Sequence, residues 1–265
     1  MPSYDLSKHD LLEREVARLP LQAQVLFPFE APFLKLHGVT DSSSLWDIGC
    51  GDGSWLRLFR SAFPNSTSAG LDHSPEILDY ARKQNPGVRL LLVDEKNISE
   101  LLLHGEFDVA LLRFSLQHMS PDVRNRILSA LGSRKALTRV IAIEGDDHSF
   151  AFRPPCEAIR TLLEAKGRKQ AAQGGDRHIG SRLPELFSRL GFGLVRQDSI
   201  PITSKIGWDT WWNVLGPVIL SGADKTQYGL VDQAISWFER NRDNEHALMT
   251  ASLYIVSASN SSEPP

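Results

Sequence analysis

Three glycines at alternate positions, Gly49, Gly51 and Gly53, separate an apolar run from an amphipathic one. Asp47 comes just before them and Asp52 lies among them. Glycine is needed where backbone must take a positive φ or let a ligand approach closely. The run at 45–48 reads as a short strand, and Trp55, Leu56, Leu58 and Phe59 open a helical apolar face. Strand, glycine loop and helix N-terminus form a nucleotide-type site at the carboxyl end of a parallel sheet. A dinucleotide fingerprint would place its third glycine at position 54, which is Ser54; the third glycine here is Gly53. Two loop carboxylates also repel a pyrophosphate. They suit a ligand with a cationic end, an ammonium or a sulfonium. The competing reading is a glycine turn that only joins strand to helix.

Further chemistry-bearing residues fall after other apolar runs. Asp72 ends a run at 66–71 and lies 19 positions after Gly53. An acid there suits the hydroxyls of a ribose; the alternative is a second helix cap, with Ser74 and Pro75 opening the helix. Asp94 follows the run at 88–93, and a turn-initiating Asp is the competing reading there. Candidate proton acceptors are His118, Glu144, Asp147, His148 and His178. Histidine titrates near neutral pH, and His118 follows the fourth apolar run. A histidine that packs or hydrogen-bonds locally is the competing reading. His178 with Arg177 could instead recognise an anionic acceptor.

These residues need a scaffold. Strands are expected at 45–48, 66–71, 88–93, 107–112 and 136–144, most followed by helices. That alternation predicts a doubly wound parallel α/β sheet. The continuous run at 88–93 predicts a strand buried on both faces. Positions 7–36 carry helical periodicity that Pro20, Pro28 and Pro32 are expected to break into pieces. Tyr4, Arg18, Gln22 and Gln24 in this segment are expected to pack rather than line a site. Helices are expected at 156–166 and 183–190, a sixth strand at 192–202, two helices at 208–220 and 225–240, and a last strand at 247–256.

With 265 residues, 42% hydrophobic and 23% charged, the composition is that of a globular protein. A net charge of -3 and no basic stripe argue against nucleic acid and anionic membrane. Two cysteines, Cys50 and Cys156, exclude a disulfide framework and a cysteine-rich zinc site; no metal is expected. The polar start is no secretory signal, and no apolar run has the length of a membrane span. A cytoplasmic setting is expected.

The stretch LWDIGCGDGSWLRL at 45–58, with its D-x-G-x-G-x-G spacing, resembles the first motif of class I S-adenosylmethionine-dependent methyltransferases. Phe107 and Asp108 match that family's F-D-x-[VIA] pattern, and the run at 176–192 resembles a segment of its small-molecule branch. The resemblance covers roughly 40–200 and the last strand. It implies a Rossmann-like seven-stranded sheet with an antiparallel last strand, and S-adenosyl-L-methionine as cofactor. The implied organisation is a helical cap at 1–40, a core at 41–203, a helical insert at 204–244, a last strand at 245–258 and a disordered tail at 259–265. Cofactor contacts are implied at Asp47, Gly49, Cys50, Gly51, Asp52 and Gly53. Beyond the loop they are implied at Asp72, His73, Asp94, Glu95, Arg113 and Phe114, with Asp94 on the adenine amino group. His118 is assigned as the candidate catalytic residue. His148, His178, Trp208, Trp211, Trp212 and Tyr228 are assigned to the acceptor, and the tryptophans favour an aromatic or apolar small molecule. The insert could instead be a dimer surface, so monomer and homodimer both stay open. The implied activity is methyl transfer to O, N or C of a small molecule. A protein that binds the cofactor without transferring a methyl is the alternative; an NAD(P)-dependent oxidoreductase is disfavoured by Ser54 and the two loop acids.

Overall fold

The computed structural model describes residues 9–94, 96–134, 139–221 and 223–259. Tyr4, Glu95, positions 136–138 of the fifth expected strand and the tail at 260–265 lie outside the described residues.

Helix α1 (His9–Leu36) is followed by strands β1 (Ser44–Ile48) and β2 (Thr67–Asp72) with α2 (Ser54–Ala62) between them. Next come α3 (Pro75–Gln84), β3 (Arg89–Leu92), α4 (Ile98–His104), β4 (Val109–Arg113), α5 (Pro121–Gly132) and β5 (Arg139–Gly145). The chain continues through β6 (Ala151–Arg153), α6 (Glu157–Ala171), α7 (Leu183–Arg189) and β7 (Val195–Thr203). It ends with α8 (Trp208–Leu220), α9 (Tyr228–Asn241) and β8 (Leu248–Ala258).

The sheet runs β3-β2-β1-β4-β5-β8-β6, with β7 paired to β8. Strands β1 to β5 are parallel, and β8 is antiparallel to β5, β6 and β7. The strand order reverses between β1 and β4, and that switch point opens the crevice where such sheets bind ligands. Eight strands replace the expected seven, because the short β6 continues the β5 edge of β8. Strand β3 is the sheet's edge rather than a doubly buried strand, and Leu92 is 53% exposed. Its apolar run reflects strand propensity, which does not distinguish an edge from a centre.

Two cores flank the sheet. One joins α1, α2, α6, α8 and α9 through Leu26, Leu34, Phe59, Leu162 and Trp211. The other joins α4, α5 and α7 through Leu102, Leu128, Leu131 and Phe187. Serines cap the helices as their sequence suggests: Ser74 accepts from the Ile77 N–H, and Ser120 from that of Val123, each followed by proline at the first helical position.

Helix α1 is continuous, against the expected break into pieces, although Pro20, Pro28 and Pro32 all lie inside it. Each proline removes a helical hydrogen bond. Tertiary anchoring offsets that loss: Leu26 and Leu34 are buried, and Glu30 is fully buried in an ion pair. The helix also ends on His37, whose ring nitrogens lie 2.6 Å from Ser257 Oγ and 2.8 Å from Asp198 Oδ2.

Candidate active site

Backbone conformation at the loop after β1 explains its glycines. Gly49, Gly51 and Gly53 have φ of 86°, 56° and 72°, all in the region that L side chains rarely adopt. A side chain at Gly49 would meet Ser115 Cβ at 2.7 Å, and one at Gly51 would meet Leu19 Cδ1 of α1 at 3.2 Å. The loop is therefore pressed between the segment after β4 and the helix that covers it.

Asp72 closes this arrangement from the end of β2. Its carboxylate accepts the Gly51 N–H at 2.9 Å and the Ser74 N–H at 3.0 Å. The side chain thus caps the local turn, in line with the competing sequence reading, and also holds the glycine loop. His73 lies alongside, its Nδ1 3.3 Å from the same carboxylate. Asp52 points into its own turn, where the Ser54 hydroxyl and N–H donate to it. Burial pushes the Asp52 carboxyl up. Cys50 is buried with its thiol pushed up, first by burial and then by Asp72, Asp47 and Asp52. Its sulfur packs toward Gly70 of β2.

Asp47 is 2% exposed and its pKa is raised to about 7, chiefly by burial, with Arg113 acting in the opposite direction. Its Oδ1 has no hydrogen-bond partner, and neither do Arg113 Nη2 or Ser115 Oγ. Unpaired buried polar atoms are costly. Three of them from β1, β4 and the turn after β4 mark a polar crevice at the switch point.

Arg113 Nε donates to both carboxylate oxygens of Glu30 at 3.0 Å. Trp55 Nε1 donates to the same carboxylate at 2.7 Å. The guanidinium also lies 4.6 Å over the Phe114 ring, and Phe114 has φ of 51°, a strained value for a non-glycine. Strain of that kind persists only where the surroundings fix it, as the bend out of β4 is fixed here.

That bend leads to the turn Leu116–His118. Glu144 at the end of β5 is fully buried and accepts the Leu116 N–H at 2.7 Å. Burial raises its pKa to about 8 against those backbone bonds, so the carboxyl is largely protonated near neutral pH. His118 follows directly, and its pKa is lowered to about 3. Burial is the main cause; the charges of Arg177, Lys166, Arg18 and His73 add to it. His118 is consequently a neutral imidazole across the physiological range.

The remaining assigned residues are distributed differently. The Asp94 carboxylate is exposed and accepts the Lys96 and Asn97 N–H groups at 2.8 Å each, heading the turn before α4. His148 and His178 stack at 3.8 Å beside Asp146. These three offer ligand atoms within 4.8 Å of one another. Parallel rings aim their lone pairs alongside each other, and the Asp146 carboxylate already accepts from Ser181 and from the His148 N–H. Trp211 is fully buried and donates to the Ile202 carbonyl at 3.1 Å. Trp208 donates to the Phe238 carbonyl, and Trp212 stacks on the Phe238 ring at 4.6 Å. These indoles form the aromatic core of α8 and α9, and Tyr228 is exposed at the start of α9.

Two residues not assigned from the sequence complete the picture. Glu30 is a lone acid in the apolar segment 25–34, a visible signal of a buried pair. Lys166 sits on the apolar stripe formed by Ile159, Leu162 and Leu163 in α6. Its Nζ donates to the Val218 carbonyl at 2.7 Å.

Residues 46–134, about a third of the chain, match the family described as methyltransferase domain. Trans-aconitate 2-methyltransferase of an Acidovorax species is 44% identical over 48 residues, covering 18% of this chain and 19% of that protein. The same-named protein of Methylobacterium radiotolerans is 30% identical over 94 residues, 36% of this chain and 32% of that one. The chain thus matches less than half the length of these curated relatives. The fold is similar to the plantazolicin methyltransferase BpumL in complex with SAH, with TM-score 0.55, 14% identity and coverage of 96% and 92%. A SAM-dependent methyltransferase from Archaeoglobus fulgidus gives 0.53, 14%, 95% and 100%. Sheet order, glycine loop and the methyltransferase-domain match over residues 46–134 are similar to those of class I S-adenosylmethionine-dependent methyltransferases.

Proposed function

We propose that the chain transfers a methyl group from S-adenosylmethionine to a small-molecule acceptor enclosed beneath α1. The observation that carries this is the crevice at the switch point. Three left-handed glycines there, with Asp72 bonded to the Gly51 N–H, leave Asp47 Oδ1 and Arg113 Nη2 unpaired. A carboxyl oxygen and a guanidinium nitrogen at one site fit the amino and carboxylate groups of an amino acid. Asp72 fits the ribose. The cofactor supplies an electrophilic methyl on a sulfonium, which passes to the acceptor as S-adenosylhomocysteine forms.

The protein's own contribution is placement and exclusion of water. Helix α1, fastened by Glu30 to Arg113 and Trp55, covers the loop through Leu19. The turn ending at His118 borders the acceptor side, and Glu144 fixes that turn from below. With its pKa near 3, His118 is a weak base and serves better as a hydrogen-bonding wall.

No helix among the described residues is long and apolar enough to cross a membrane. A small acceptor agrees with the absence of a basic stripe. Incubating the chain with methyl-labelled cofactor and a metabolite extract tests the reading. Label in a small product supports it; tight cofactor binding with no transfer to any fraction would favour the binding-only alternative.

A further inference from the structure

Four basic groups from separate elements act on His118. Arg18 comes from α1, His73 from the end of β2, Lys166 from α6 and Arg177 from the loop before α7. The turn carrying His118 is bolted to two of these elements, α6 and the loop before α7. Arg177 donates to the Gln117 side chain, while Gln170 of α6 and the Asp176 N–H both donate to the Gln117 carbonyl, at 2.6 and 2.8 Å. Arg177 and the helix that carries Lys166 are therefore held on one framework with the His118 turn.

Two of them already have carboxylate partners. Asp147 pairs with Arg177 through both oxygens, and Glu15 pairs with Arg18 in the same way. Lys166 differs. The bond shown for its ammonium goes to the Val218 carbonyl near the end of α8, a neutral acceptor. Asp147 and Glu15 are the acids whose charges reach it, and each faces an arginine of its own. Burial, and then the charge of Arg177, push the Lys166 pKa well down; with Lys166 protonated, the group Arg18, Lys166, Arg177, Glu15 and Asp147 carries one surplus positive charge, and a bound anion favours that protonated form. A buried charge without a counter-charge is expensive.

We infer that the acceptor is an anion, a small carboxylate, whose charge is bound by Lys166 with Arg18 and Arg177 beside His118. This rests on the methyl-transfer reading above and gives that same site its substrate class. It also replaces the aromatic acceptor suggested by the tryptophans, because those indoles pack against Phe238 and Ile202 instead. An incoming carboxylate neutralises the surplus charge, and it can accept from the Lys166 ammonium and from the imidazole N–H. Desolvated charge-assisted bonds of this type are the strong ones.

The test is calorimetry on the full chain saturated with S-adenosylhomocysteine. The probes are acetate, malonate, citrate, benzoate and phenylacetate, each against its methyl ester. At least one carboxylate is expected to bind, with its ester at least tenfold weaker. Lys166→Met should weaken that carboxylate tenfold or more and leave S-adenosylhomocysteine affinity unchanged, which also reports a folded protein. Lys166→Arg, which keeps the charge, should recover part of the loss. Failure of all five carboxylates to bind the loaded protein would overturn the inference, as would a Lys166→Met protein with undiminished carboxylate affinity. Failure of S-adenosylhomocysteine itself to bind the wild-type chain would instead overturn the methyl-transfer reading.

Discussion

Glu30 and Arg113 meet across 83 positions of sequence in an ion pair of 3.0 Å, with both side chains almost wholly buried. The pair ties the covering helix α1 to the end of β4, and the Trp55 indole shares the same carboxylate. Removing one member of such a pair leaves the other as an uncompensated buried charge. Glu30→Ala should therefore cost about 3–5 kcal/mol of unfolding free energy, read as a lower urea midpoint. A loss below about 1 kcal/mol would show that Arg113 finds another partner.

The pH dependence of stability should carry the mark of Glu144. Its folded pKa, about 8, lies above the ordinary glutamate value of 4.5. Between those values the unfolded chain has lost a proton that the native chain keeps, so stability falls as pH rises. The slope for one proton is about 1.4 kcal/mol per pH unit. Glu144→Gln retains an acceptor for the Leu116 N–H but does not ionise. Urea titrations from pH 4 to 9 should show wild type losing ground to the variant between roughly pH 4.5 and 8. Parallel curves would contradict the buried, protonated carboxyl. Asp47, raised to about 7, acts in the same direction over a lower window.

His118 pulls the other way. Its pKa of about 3 lies below the ordinary histidine value of 6.5, so its neutral form stabilises the fold at higher pH and that stability is lost as pH falls through this window. In catalysis a group already neutral at pH 6 contributes no rising limb near pH 6.5. His118→Asn should therefore lower kcat by less than about tenfold, well short of the 10²–10⁴ lost with a general base. Profiles of kcat/KM from pH 5 to 9 decide the matter. A rising limb near pH 6.5 that disappears in the asparagine variant would restore His118 as the base.

How far the sequence foretold this molecule depends on the kind of signal. The parallel core was legible because apolar runs alternate with helical periods, and Gly49, Gly51 and Gly53 sit where β1 hands over to α2. Continuity of α1 was not, because prolines are local signals while the Glu30 anchor comes from residues 25 and 83 positions away. The edge position of β3 was hidden for a similar reason: pairing order is a long-range property. In the insert, Trp208 and Trp212 carry the same composition whether they line a pocket or pack on Phe238. Lys166 was visible in principle, as a charge on the apolar stripe of Ile159, Leu162 and Leu163. Its meaning required Val218, Arg177 and Arg18, which the chain brings from three other segments.

The central claim is that the glycine loop and Asp72 hold S-adenosylmethionine. Calorimetric titration of the wild-type chain, Asp72→Ala and Gly51→Val with S-adenosylhomocysteine tests it directly. Wild type should bind with 1:1 stoichiometry. Asp72→Ala should lose about 1–3 kcal/mol, since the lost carboxylate holds the Gly51 N–H and, on the proposed reading, would accept from the ribose. Gly51→Val should not bind, because its φ of 56° and the nearby Leu19 side chain leave no room for a branched residue. Equal affinity in three folded proteins, or no binding by the wild-type chain, would contradict the account.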